Sequence, residues 1–306
     1  MLIDTISVAA AVPADKTAAV SPGRRIWRAA HAEPQFRVGL VLLVLLIGAA
    51  LIYPHLTPLS ATKIAVLDRF KPPVFLSGGT WLHPLGTDQL GHDLFLRSLI
   101  GLQNALPISV SAVIIMFVFG AVMGLFSGYY GGWIDTVLMR ITDAQLAVPV
   151  IILAITILTV RRPSVETVTL VLALSGWPAY ARVTRSVTLS ERQREYVRGA
   201  KILGASDLRI IFQLIAPNVL PPIAFVAVLD IARMMIFEAI LGFIGIGVQP
   251  PTPTFGNIIA DGQKYLINAW WVATMPGAFL FAALLGINLI GTSVEQARNK
   301  VLGGTV

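Results

Sequence analysis

From Ser98 to Ile134 the chain runs 37 residues without one charged side chain. A water-soluble domain carries roughly a quarter charged residues, so a run of this kind belongs in hydrocarbon. Six other uncharged stretches behave alike: 38–53, 144–160, 167–181, 210–229, 239–260 and 265–294. A helix crosses a bilayer with about 20 mostly apolar residues. A membrane barrel would instead alternate polar and apolar positions over ~10-residue segments, and the sequence has no such pattern. With 56% hydrophobic and 13% charged residues, the expected fold class is an all-α polytopic membrane protein.

Six transmembrane helices are expected: Phe36–Tyr53, a segment within Gln103–Tyr130, Leu138–Val160, Val165–Arg182, Asn218–Gly247 and Trp270–Val294. Arg24, Arg25, Arg28 and Arg37 precede the first crossing. Lys and Arg number 15 on the side assigned to the termini and 7 on the other. Positive charge collects in cytoplasmic loops, so both termini are expected to be cytoplasmic. Residues 1–35 read as a mobile cytoplasmic N-terminal tail without signal-peptide features, 36–296 as the transmembrane domain, and 297–306 as a cytoplasmic C-terminal tail. The same bias accounts for the net charge of +7 and sets nucleic-acid binding aside. Gly120, Gly124 and Gly128 stand four apart. Such spacing suits either close helix packing in lipid or a pore-facing surface.

The chain has no cysteine, which excludes disulfides, thiolate catalysis and Cys-ligated metals. It has neither a GxxxxGK[ST] phosphate loop nor HExxH. His31, His55, His83 and His92 all precede the second crossing, far in sequence from any embedded serine, which disfavours a membrane-embedded Ser–His hydrolase. In HPLGTDQLGHD, the side chains of His83, Asp88, His92 and Asp93 are of metal-ligand type. Their spacing is no fixed metal signature, however, and Pro84, Gly86 and Gly91 favour a turn-rich structural loop. No metal or other cofactor is expected. The fifth crossing carries Asp230, Arg233 and Glu238. A charge inside a span costs about 2.5–3.5 kcal/mol on insertion scales, so these three should face the bundle interior, a partner or water, and are candidate translocation-path residues. Asp230 and Arg233 stand i,i+3, and either neutralise each other or meet substrate.

Glu195–Pro222 is a polar, basic island between the fourth and fifth crossings. Tyr196, Val197, Ala200 and Leu203 fall on one helical face. Gly204 interrupts, Ser206 takes an N-cap position, and Asp207 sits in the next first turn. Leu208, Ile211, Phe212 and Ile215 again share a face. Two short helices at a sharp bend, surrounded by basic residues, read as a docking element.

Glu195–Pro217 resembles the cytoplasmic EAA loop of ABC-importer permeases. Glu195 holds the Glu position, Gly199 and Ala200 the Ala pair, Gly204 the Gly, Leu214 and Ala216 the Ile and Leu, and Pro217 the Pro. HPLGTDQLGHD, GYYGGWIDTVLMRITD, SGWPAYARVTR and FIGIGVQPPTPTFGNIIADG are similar to the C-type subunit of the dipeptide/oligopeptide/nickel permease family, with His92 where that family usually has Arg. The similarity covers about Pro34–Gln296. It implies a type I ABC-importer permease fold in the bacterial inner (cytoplasmic) membrane and a coupling loop over 191–217. Glu195, Gly199, Ala200, Gly204, Ala205, Ser206, Asp207 and Pro217 would then couple to an ATPase, and the chain would hold no catalytic residues of its own. The implied partners are a second, B-type permease, two cytoplasmic ABC ATPases, an extracytoplasmic solute-binding protein and membrane lipid. Peptides are the implied solute, with nickel or another peptide-like solute as the alternative. A different class, an ATP-independent secondary transporter or channel, would use the fifth-crossing charges as a coupling site.

Overall fold

The computed structural model describes residues 22–303; expectations for 1–21 and 304–306 lie outside the described residues. Among the described residues the regular structure is helical, and a single isolated bridge joins Thr87 to Asp93. In chain order the helices are α1 (Pro22–Ala32), α2 (Pro34–Leu56), α3 (Leu94–Tyr130), α4 (Gly132–Leu146), α5 (Val150–Val160) and α6 (Val165–Glu191). There follow α7 (Glu195–Ile202), α8 (Asp207–Arg209), a π-helical stretch (Ile210–Ile215), α9 (Ala216–Phe243), α10 (Phe255–Gln263) and α11 (Trp271–Gly303). Among the described residues, α2, α3 and α11 are long and apolar enough to cross a membrane, and α4 with α5 makes a fourth if the pair is one span.

The long uncharged run became α3. Asp93 caps it by accepting from the Leu96 N–H at 2.6 Å, and Gly131 ends it at φ +68°. Its 37 residues extend about 55 Å, well past a hydrocarbon core of about 30 Å. The glycine stripe lies against α6. A Cβ on Gly120 would meet the Trp177 carbonyl oxygen and Tyr180 Cβ at 2.5 Å, and one on Gly128 would meet Thr188 Cβ at 2.6 Å. Of the two readings of that stripe, close packing is the one observed. In lipid, helix contact rests on dispersion between close surfaces, and missing side chains allow that approach.

Four expectations change. The third crossing is broken: α4 and α5 meet at 83°. Pro149 precedes α5, and proline both lacks an N–H donor and disfavours helical geometry in the residue before it. The expected N-terminal tail is helical from Pro22 to Ala32, with Ile26 and Ala30 buried in a cluster with Phe36 and Ala297. The C-terminal tail is likewise helical as far as Gly303, because α11 continues unbroken.

The fourth change concerns residues 249–265, left between the fifth and sixth expected crossings, where the chain forms a short helix. That helix, α10, folds into the bundle. Phe255 and Ile258 are buried, Gly256 approaches Gly242 of α9, and Asn104 of α3 donates to the Pro253 carbonyl at 2.8 Å. A reciprocal capping box between Thr254 and Asn257 satisfies its first N–H groups.

Candidate functional site

The basic island folds as a hairpin whose tip is apolar. At the end of α7 the Gly204 N–H donates to Lys201 and the Ala205 N–H to Ala200, both carbonyl acceptors, at 3.1 and 3.0 Å. This is a Schellman closure. Gly204 stands at φ +80° with open space where a Cβ would go, so the bend requires its backbone freedom and not close approach. Val197 is buried and Ala200 packs against the same core. Leu203, expected on that face, is instead 88% exposed beside Ile202 at 85%. Tyr196 is also exposed; partial burial and the hydrogen bond it donates to Glu191 at 2.6 Å push its hydroxyl above the usual range.

The second half departs from a 3.6-residue period. Ile210, Ile211 and Ile215 are buried, while Leu208 and Phe212 are exposed. A π-helix closes i→i+5 bonds, so its turn is wider and a different set of side chains faces inward. Pro217, which has no N–H to give the carbonyl four residues back, stands in the first turn of α9 just beyond this stretch. Ser206 takes the N-cap position without a side-chain cap bond. Asp207 accepts from the Tyr129 hydroxyl at 2.6 Å, tying the hairpin to the end of α3. Glu195 opens α7, is exposed, and makes no ion pair among the described residues; Gly199 has no neighbour within 4 Å of a Cβ position.

Three arginines ahead of the island, Arg182 and Arg185 on α6 and Arg192 at its C-cap, serve the scaffold, which sequence reasoning missed. Arg185 grips Asp135 of α4 through Nε and Nη2 at 2.5 and 2.6 Å, and Arg182 donates to Asp143 at 2.6 Å. Arg192 donates to the Gly128 and Tyr129 carbonyls at 3.0 Å, closing the end of α3. Arg198, Lys201 and Arg209 remain near the hairpin without a carboxylate partner among the described residues.

In α9, Arg233 Nη2 pairs with Asp230 Oδ1 at 2.8 Å. The Tyr180 hydroxyl of α6 donates to the other oxygen, Oδ2, at 2.5 Å, a partner that sequence spacing did not reveal. These three side chains, with Ala179, Val183, Ile223 and Val226, line a cavity of about 120 Å³. Arg233 is half-exposed while Asp230 is buried. Glu238 lies apart from this group: it is fully buried, and both carboxyl oxygens lack a hydrogen-bond partner among the described residues.

The loop between α2 and α3 holds a second polar cluster. Asp88 accepts from the Leu90 and His92 N–H groups at 2.8 and 2.9 Å and pairs with Arg97. His92 Nδ1 lies 2.9 Å from Asp88, and His83 Nδ1 lies 3.0 Å from Asp93. Each carboxylate is thus engaged within the loop, and no cluster of three or more candidate metal ligands occurs among the described residues. Trp271 Nε1 donates to the Thr87 carbonyl, pinning the loop to α11.

A multi-pass helical protein with a buried, paired charge in α9 and an exposed apolar-tipped hairpin has the build of a membrane transport component. The chain belongs to the family of binding-protein-dependent transport system inner membrane components, whose family model matches residues 120–300. It is 33% identical over 265 residues to the dipeptide transport system permease protein DppC of Haemophilus influenzae, covering 87% of this chain and 90% of that one. It is 33% identical over 282 residues to the di/tripeptide transport system permease protein DppC of Pseudomonas aeruginosa, covering 92% and 93%. It is 35% identical over 285 residues to DppC of Alkalihalophilus pseudofirmus, covering 93% and 92%. In fold it is similar to the inward-facing MetNI methionine ABC transporter, with a TM-score of 0.54, 18% identity, and coverage of 67% of this chain and 97% of that one.

Proposed function

We propose that this chain is the permease subunit of an ATP-driven importer of di- and oligopeptides, forming half of the translocation path. On this reading α2, α3, the α4–α5 pair, α6, α9 and α11 are six crossings, and both termini and the α7–α8 hairpin are cytoplasmic. A second permease subunit, two ATPases and an extracytoplasmic solute-binding protein complete the system. The solute class rests on the named relatives; the energy source rests on the hairpin.

One observation carries the coupling role. Ile202 and Leu203 are almost fully exposed at the tip of a hairpin whose base is fixed by Val197, Ile210 and Ile215. Exposed apolar side chains beside Arg198 and Lys201, on a loop cross-linked to α3 through Asp207 and Tyr129, suit insertion into a partner's cleft. ATP-driven movement of that partner would push the hairpin as a rigid lever, and the spans would shift between discrete packings. Along the path, Tyr180, Asp230 and Arg233 would contact the solute where their cavity opens, with Glu238 deeper in α9.

Energy source separates this reading from a secondary transporter. Uptake of a labelled dipeptide into proteoliposomes should require ATP, both ATPases and the binding protein. Uptake that persists without the ATPases and follows a proton gradient would overturn it.

A further inference from the structure

We propose that α1 is a lipid-docking foot, whose Arg25 and Arg28, with Arg37 at the start of α2, hold the phosphates of anionic lipids at the membrane surface. This inference requires only that α2 spans the membrane, and does not depend on the solute or on the ATPases.

Placement comes first. Only Glu33 separates α1 from α2. It sits at φ −74°, ψ 129° before Pro34, so the chain leaves helical geometry there, as a residue preceding proline tends to. The uncharged part of α2 begins at Val38, about one helical turn further on. The helix α1 therefore lies at the boundary of hydrocarbon and water.

Its faces are divided by chemistry. At about 100° per residue, Ile26 and Ala30 share one side, and both are buried against Phe36 of α2 and Ala297 of α11. Arg25 and Arg28 point the other way; both are exposed, and neither pairs with a carboxylate among the described residues. Trp27 flanks the basic side at 59% exposure, with its ring 4.4 Å from His31 and 5.7 Å from Phe36. Trp at this level, with arginines on the polar face, is the pattern of a helix lying in the headgroup layer. Arg37 is exposed on the adjoining turn. The Lys300–Glu33 pair at 2.5 Å neutralises the junction's carboxylate, so the guanidinium groups of Arg25, Arg28 and Arg37 have no carboxylate partner among the described residues, and Arg37 Nη2 reaches only the Ala32 carbonyl at 3.5 Å. Charge complementarity thus selects an anionic lipid. Because α1 packs on both α2 and α11, lipid held there braces the ends of two spans together.

The test is hydrogen–deuterium exchange of the full-length chain in nanodiscs of phosphatidylcholine alone or mixed with phosphatidylglycerol. With phosphatidylglycerol, amides of residues 22–32 should exchange about tenfold more slowly, while those of α3 stay unchanged. The protection should disappear at high salt and in the Arg25→Gln/Arg28→Gln double variant. Equal exchange in the two lipids with the native arginines would overturn the proposal, and that comparison needs no variant to fold. Protection retained in the double variant would overturn it too. So would protection that appears in phosphatidylcholine alone once partner proteins are added, which would make the occupant a protein.

Discussion

A Cβ on Gly124 would stand 2.5 Å from the carbonyl oxygen of Ala181, so α3 and α6 meet backbone against backbone. Gly124→Ala must therefore push the two helices apart. Overpacking of this kind costs about 1–3 kcal/mol, and thermal unfolding in detergent should show a clear fall in Tm. Gly48→Ala in α2, where nothing lies within 4 Å, is the control and should leave Tm unchanged or slightly raised. Equal behaviour of the two variants would contradict the packing described.

The loop between α2 and α3 should respond to acid through Asp88. Burial pushes its carboxyl up, but the His92 hydrogen bonds and the Arg97 charge outweigh burial and hold it below the usual range. Its folded-state value is lower than its unfolded one, so its stabilisation is present above about pH 4 and is lost as pH falls through the lower folded value. Asp93 has the opposite sign. Burial raises it despite the Leu96 N–H and His83, so its contribution is full below about pH 4 and is lost as pH rises from there through the raised folded value. Limited proteolysis across 57–93 should show loosening in acid, and Asp88→Asn should remove that pH dependence. Asp88→Ala, which strands Arg97 in a buried site, should cost about 3–5 kcal/mol.

For Asp230 and Arg233, a double-mutant cycle separates scaffold from solute contact. Each single change to Ala leaves one charge in the bundle without its partner. If the pair serves only structure, the double variant should recover much of the stability and uptake lost by each single one. If the side chains hold the solute, stability should recover while uptake stays low, and Tyr180→Phe should lower uptake as well. The reading as path residues expects the second pattern.

Gly204 and Gly199 should part company. At φ +80° a residue with a Cβ is strained by roughly 1–2 kcal/mol, so Gly204→Ala should loosen the hairpin, and Gly204→Trp should weaken its assembly with the ATPase. Gly199→Ala lies within α7 with free space around it and should keep wild-type protection of α7 amides in hydrogen exchange. Similar loosening in both would contradict the role given to the bend.

What the sequence revealed and what it concealed follow from range and period. Charge-free runs marked α2, α3 and α11 because hydrocarbon imposes that composition directly. Gly204 was legible as a bend because one residue type suits that backbone. Ile211 and Ile215 were legible as sharing a face, but the burial of Ile210 and the exposure of Leu208 and Phe212 were not, since a 3.6-residue template misassigns a π-helical turn. The Arg185–Asp135 grip and the Tyr180–Asp230 hydrogen bond each join residues 50 positions apart, and no local pattern encodes such partners. The burial of α10 was hidden for a related reason. A Pro- and Gly-rich segment resembles a surface loop until the bundle that receives it is known.

On the proposed reading the α7–α8 hairpin takes its energy from a partner ATPase through its exposed tip. ATP-dependent dipeptide uptake by the assembled transporter carrying Ile202→Glu and Leu203→Glu tests this most directly. Both side chains are exposed, so insertion and Tm should be unchanged. Uptake should fall at least about tenfold, with loss of ATPase co-purification, as expected for charges placed in a desolvated contact. Wild-type uptake with the ATPase still bound would contradict the account.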